Sequence, residues 1–188
     1  MRLFIAINLP EKTKNTIEEA VNKIQPLFDA SARFLSPKNW HLTITFLGYQ
    51  PQEAIGPILK AIKETANNFS PITIDFESIS YGPPDKPARM VWLVGTKQTS
   101  KILSDLKIKL ENALIENGVK FKQENRPFNT HITLVRFSNI LGKLPNYLIT
   151  QLPLSFEAKT LDLMESHLKR SGAKYEPISQ FAFKQFLR

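Results

Sequence analysis

Two histidines of this chain share one short setting: His41-Leu-Thr43-Ile-Thr-Phe-Leu-Gly48 and His131-Ile-Thr133-Leu-Val-Arg136-Phe137. In each, a threonine follows two residues after the histidine, inside an apolar, β-branched run of the kind that forms strands. A strand sends alternate side chains to opposite faces. His41 therefore shares a face with Thr43, and Leu42, Ile44 and Phe46 take the other. His131 and Thr133 repeat the arrangement against Ile132 and Leu134. The 188 residues include 3 histidines and 12 threonines. Chance places a threonine two positions after a given histidine about once in 16, and after both about once in 250, before the matching apolar context is counted. The duplication favours two halves of one site over coincidence.

An imidazole with its usual pKa near ~6.5 can be neutral in one copy and protonated in the other at neutral pH. Such a pair takes a proton from a nucleophile and gives one to a leaving group, each transfer contributing ~10²–10⁴ in rate. Phosphoester cleavage in RNA suits the arrangement. Charge that develops on the phosphate oxygens needs donors already in place, and Thr43, Thr133 and the guanidinium of Arg136 are suited to supply them. Regular alternation would turn Arg136 away from His131 and Thr133. A bulge, or a strand ending near Val135, would turn it back; otherwise its long side chain must curl round the edge. No third histidine lies near either motif and the chain has no cysteine, so neither a metal site nor a cofactor is expected.

The elements that must position these residues follow from periodicity. Residues 3–8 read as a strand. Ile17, Ala20, Val21, Ile24, Leu27 and Phe28 form one apolar helical stripe, ended or kinked by Pro26. Phe34 and Leu35 lead into the first motif strand. A second helix starts at Gly56-Pro57 and carries Ile58, Leu59 and Ile62. Ile72, Ile74 and Phe76 alternate with Thr73, Asp75 and Glu77 as a half-exposed strand, and Tyr81 to Pro87 is a loop. Met90 to Val94 is another strand. A third helix carries Ile102 through Leu114 and stops near Gly118. After the second motif, residues 154–163 and Tyr175 to Phe183 read as extended. Strands outnumber helices without strict alternation, which favours an α+β fold of largely antiparallel sheet. The motifs stand 90 residues apart, each preceded by a helix. Two pseudo-two-fold lobes would bring them together at a central groove.

The length fits one domain, 1–188, of two lobes. No apolar run approaches the ~20 residues of a membrane span. The first strand is broken by Asn8 and Pro10 and lacks a small-residue cleavage site, unlike a secretory signal. Without cysteine there is no disulfide framework or thiolate nucleophile, and cytoplasmic residence is the default. A net charge of +8, from 25 basic against 17 acidic residues, favours polyanionic partners.

The residues resemble the 2H phosphoesterases, named for two His-x-Thr motifs, and within them the RNA 2′,3′-cyclic phosphodiesterases once called 2′-5′ RNA ligases. The resemblance runs nearly the full length: Arg2-Leu-Phe-Ile-Ala-Ile with Leu9-Pro10, Arg33-Phe34 before Pro37, the first motif to Gly48, Arg89 with Trp92, Phe128 before the second motif, and a tail Glu165-Ser166-x-Leu168-x-x-x-Gly172-x-x-Tyr175. Phe34 stands where Trp is common and Thr130 where Pro is, and neither change removes a catalytic group. The resemblance implies a bilobal fold of two sheets flanked by helices with the site in the groove between them. It also implies metal-independent hydrolysis of an RNA-terminal 2′,3′-cyclic phosphate, as on tRNA fragments, to a 2′-phosphate by a monomer. By that analogy His41 is the general acid and His131 the general base, an order the pseudo-symmetry leaves open to reversal, while Thr43, Thr133 and Arg136 bind the phosphate. Joining of RNA ends would use the same groups. Another cyclic or 2′-5′-linked nucleotide as substrate, or RNA binding without turnover, are the alternatives. His167 reads as a solvated turn residue. Trp40, Trp92, Phe34 and Tyr81 read as core or loop anchors before base-stacking groups, and Lys169, Arg170 and Lys174 as a solvated basic face.

Overall fold

Alternating apolar side chains draw the strands of this protein into two antiparallel sheets, which share one hydrophobic core with the helices. The computed structural model describes residues 1–84, 87–124, 126–137, 150–169 and 172–185. In chain order these form β1 (Arg2–Asn8), α1 (Glu11–Ile24), β2 (Ala32–Phe34), β3 (His41–Tyr49), α2 (Ile55–Ala66), β4 (Ile72–Gly82), β5 (Met90–Gly95), α3 (Lys97–Glu116), β6 (His131–Phe137), β7 (Thr150–Ala158), β8 (Thr160–Lys169) and β9 (Gly172–Ala182). One sheet has the order β3-β1-β8-β9 and the other β2-β6-β5-β4-β7. The α+β class, the antiparallel sheets and the flanking helices are as the sequence indicates.

A repeated β-α-β unit explains the duplication. β1 leads through α1 to β3, and β5 leads through α3 to β6; in both cases the motif strand returns antiparallel beside the strand that preceded the helix. The helices form where the apolar stripes lie. α1 buries Ile17, Ala20, Val21 and Ile24, then tightens into a 3-10 turn at Gln25–Leu27, where Pro26 withholds a backbone donor. α3 opens on Thr96, whose hydroxyl accepts from the Thr99 backbone N–H. It ends before Gly118, whose φ of 75° suits glycine.

Three local expectations differ. The extended stretch at 154–163 is two strands in different sheets, because the chain crosses over at Lys159. Ala158 and Leu161 are both buried in the shared core, so the apolar pattern runs on through the break. β4 continues past Glu77 to Gly82 after a bulge between Phe76 and Ser78 shifts its register and interrupts the alternation. Ala32–Phe34 is a short strand at the edge of the second sheet, beside β6.

Ile5 of β1 is fully buried between β3 and β8. Truncation there removes transfer free energy and leaves a cavity, so Ile5→Ala is expected to cost about 2–5 kcal/mol, measured by urea unfolding.

Candidate active site

β3 and β6 belong to different sheets yet lie against each other, which brings the two motifs together. The backbone treats them alike. In β3 the register moves from Thr43 opposite Ala6 to Thr45 opposite Ile5, leaving Ile44 as an extra residue. In β6 it moves from Thr133 opposite Trp92 to Val135 opposite Val91, leaving Leu134 as the extra one. Each bulge reverses the alternation beyond it. Thr45 and Val135 are therefore buried, and the next side chain returns to the histidine's face. In the second motif that side chain is Arg136, exposed and opposite Met90. The bulge thus accounts for how Arg136 reaches the face of His131 and Thr133. In the first motif the same position is Phe46, 54% exposed and opposite Phe4. Phe46 does not share the face of Leu42 and Ile44, as simple alternation had implied.

Both imidazoles are tethered identically. His41 Nδ1 lies 2.7 Å from the Asn39 carbonyl and His131 Nδ1 lies 2.7 Å from that of Asn129. A carbonyl oxygen only accepts, so Nδ1 of each ring donates, and Nε2 has no hydrogen-bond partner among the described residues. The shared pattern is longer than His-x-Thr: an asparagine precedes each histidine by two residues. Sequence reading passed over this signal because the tether is a backbone group. The Asn39 side chain makes a second connection, donating from Nδ2 to the Ala173 carbonyl at 3.0 Å. β3 and β9 are opposite edges of their sheet, yet His41 and Tyr175 also touch edge-on at 5.0 Å between ring centres. These two side-chain contacts link β9 to the first motif across the face of the sheet.

Aromatic neighbours hold each ring. Phe4 lies 4.9 Å from His41, with Tyr175 edge-on to Phe4 at 5.2 Å. On the other side Trp92 stacks on His131 at 3.9 Å and an interplanar angle of 23°. Trp92 is buried, as a core residue should be, but its packing also braces the second histidine. Trp40 is core, Phe34 packs edge-on to Phe28 at 5.7 Å, and Tyr81 lies against Phe137 at 6.4 Å. Gly82 makes room for Trp92: a Cβ there would fall 2.3 Å from the indole.

Burial pushes His41 down to about 4, against the opposing pull of the Asn39 carbonyl; repulsion from Arg136 and from His131 adds to the fall. His131 is lowered by burial too, with Arg126 and Arg136 as its charged neighbours. At neutral pH, with no anion beside it, His41 is therefore uncharged. Thr43 and Thr133 stand half-buried on the histidines' face. No three His, Asp or Glu side chains among the described residues gather as a metal-ligand set. No helix among the described residues is long and apolar enough to cross a membrane.

His167 is not a turn residue. β8 runs on to Lys169, so His167 sits in the strand opposite Lys174, 3.4 Å from Glu165 and 3.3 Å from Glu176. Of the basic cluster, Lys174 pairs with Glu176, while Arg170 and the Lys169 side chain lie outside the described residues.

Residues 7–92 match the family model described as LigT-like phosphoesterase. An RNA 2′,3′-cyclic phosphodiesterase of Thermus thermophilus is 27% identical over 186 residues, covering 98% of this chain and 91% of its own. A Bacillus subtilis protein of the same name is 29% identical over 180 residues, covering 95% and 94%. A Thermus thermophilus crystal structure aligns with a TM-score of 0.79 at 26% identity, over 97% of this chain and 98% of that one. The crystal structure of Escherichia coli LigT complexed with 3′-AMP aligns with a TM-score of 0.74 at 28% identity, over 98% of each chain.

Two outcomes are expected from this geometry. In a ¹⁵N NMR titration both rings should show protonated Nδ1 when neutral, with the His41 midpoint near 4 and that of His131 below 6.5. Both folded-state values lie below the unfolded one, so these groups contribute stability above about pH 6.5 that is lost as pH falls through the folded values. Gly82→Ala should cost about 1–3 kcal/mol by overpacking against Trp92, read by thermal unfolding.

Proposed function

We propose that the chain is a LigT-like phosphoesterase of the 2H superfamily, to which it is similar over nearly its whole length, and that it hydrolyses RNA-terminal 2′,3′-cyclic phosphates to 2′-phosphomonoesters by two-histidine acid–base catalysis without a metal. The observation that carries this is the matched pair of carbonyl-tethered imidazoles, each with a free Nε2 and a threonine on its face. Relatives named for this activity match nearly end to end.

Water adds to phosphorus on the side opposite the leaving ribose oxygen. His131 Nε2 takes the water proton as the O–P bond forms; His41 Nε2–H gives a proton to O3′ as the P–O3′ bond breaks, leaving the phosphate on O2′. Thr43, Thr133 and Arg136 hold the non-bridging oxygens. The bound anion raises the imidazole that must carry a proton, reversing the effect of burial. Placing the acid at His41 is supported by exposed Phe46 on the same face and half-buried Tyr175 against its ring, which suit a nucleoside and so bring its leaving oxygen to that side. With an RNA 5′-hydroxyl in place of water, the same two transfers form a 2′-5′ linkage. The reading includes a single domain over 1–188 acting as a monomer, since one chain supplies both motifs. It places the enzyme in the cytoplasm, acting on ends such as those of tRNA fragments.

The test is incubation with EDTA and a short RNA ending in a 2′,3′-cyclic phosphate, with identification of the terminal product. A 2′-phosphate is expected, and His41→Ala or His131→Ala should each lower turnover by at least ~10²–10⁴ with the fold intact. Substantial activity in either variant would sink the proposal. Thr43→Ala and Thr133→Ala should each cost roughly 1.5–3 kcal/mol of transition-state binding. Arg136→Lys should also slow the enzyme, because a point charge does not replace a fork of donors. A parallel panel of cyclic nucleotides and 2′-5′ oligoadenylate distinguishes this substrate from its rivals.

A further inference from the structure

One buried carboxylate on the groove side has no part in these proton transfers. Asp162 of β8 is fully buried. Register sets Thr43, Ala6, Asp162 and Gln180 side by side across the four strands of the first sheet, and directly opposed residues share a face. Asn8, at the end of β1, stands opposite His41. Asp162 Oδ2 accepts from Asn8 Nδ2 at 2.6 Å and from Gln180 Nε2 at 3.2 Å; Asn8 Nδ2 also lies 3.4 Å from Met164 Sδ. Among the described residues, Asp162 Oδ1 has no partner.

The consequence falls on the far end of each amide. A carboxylate oxygen accepts, so both NH₂ groups turn to Asp162 and both carbonyl oxygens turn away from it. Asn8 is half-buried and Gln180 exposed, so neither amide is enclosed as Asp162 is. The second half of the molecule differs: Thr133 faces Trp92 and His131 faces Val94, where the first half has Ala6 and Asn8. Ala6 is fully buried with Phe4 and Met164, and Tyr175 packs against them. With strands ~4.8 Å apart, Asn8 lies one strand from His41 and Asp162 roughly 10 Å from Thr43, a span that a nucleoside bridges.

We propose that Asn8, Gln180 and buried Asp162 form an acceptor subsite beside the phosphate centre, taking a hydrogen-bond donor of the bound nucleoside, either a base amino group or the ribose 3′-hydroxyl that hydrolysis frees. Asp162 acts through the two amides and is a positioning residue. The subsite rests on the phosphodiesterase reading only in placing a nucleotide in the groove, and its test reads binding, without turnover.

Calorimetric titration would compare adenosine 2′-monophosphate with purine riboside 2′-monophosphate, which lacks the amino group, and 3′-deoxyadenosine 2′-monophosphate, which lacks the hydroxyl. One or both analogues should bind about tenfold more weakly than the parent, and the weaker one identifies the donor. That difference should vanish in Asn8→Leu or Gln180→Leu and shrink in Asp162→Asn, where the amides lose their fixed orientation. Should the Asp162 variant fail to fold, the two surface-accessible amide variants still decide. Equal binding of all three nucleotides, no binding of the parent, or discrimination that survives every variant would overturn the proposal. Loss of turnover on cyclic phosphate RNA with discrimination intact would instead overturn only the phosphodiesterase reading.

Discussion

One extra residue directly after the threonine of each motif governs the groove. Ile44 and Leu134 are buried in the core and unmatched across the ladder. Each shifts the side-chain parity of the motif residues that follow, in β3 as far as Phe46, before a second bulge at Leu47, so that three positions of a motif face the groove in place of two with a third turned inward. Without the bulge at Leu134, Arg136 would lie on the core face, where an unpaired guanidinium costs several kcal/mol. The burial of Thr45 is a second effect of the same shift. Its hydroxyl finds Glu111 of α3 at 3.3 Å, and Lys107 completes the pair at 2.6 Å from Glu111. A helix on the far side of the sheet is thereby pinned to the strand that carries His41.

The two halves share a backbone plan and differ in chemistry. The same tether, bulge and hydroxyl occur in each, yet the third groove-facing side chain is an aromatic ring in one half and a guanidinium in the other. The floor differs too, Ala6 against Trp92. A symmetric pair of imidazoles therefore sits in an asymmetric groove, with charge on one side and apolar and amide surface on the other. Polarity of this kind lets a chemically directional substrate choose one of two otherwise equivalent orientations.

How much of this was legible depended on whether a feature lives in residue type or in register. His41, Thr43, His131 and Thr133 were legible because strand alternation up to a bulge is reliable. Arg136 was legible as a residue but not as a direction, since a bulge leaves no compositional mark. Phe46 was misplaced for the same reason. The helices followed their apolar stripes closely. The crossing at Lys159 did not show, because strands on either side feed one core and keep one apolar rhythm. Asp162 stayed silent among Leu161, Leu163 and Met164: a buried carboxylate is recognisable only when its partners, distant in sequence, are in place.

Contacts beside His41 join two strands that the ladder of the first sheet keeps apart. β3 and β9 are edge strands, and an edge exposes unpaired backbone groups that invite another chain to extend the sheet. Beside His41 these two strands are linked by Asn39 reaching Ala173 and by Tyr175 meeting His41. The two strands share no ladder, so it is these side chains that couple β9 to the strand that carries His41.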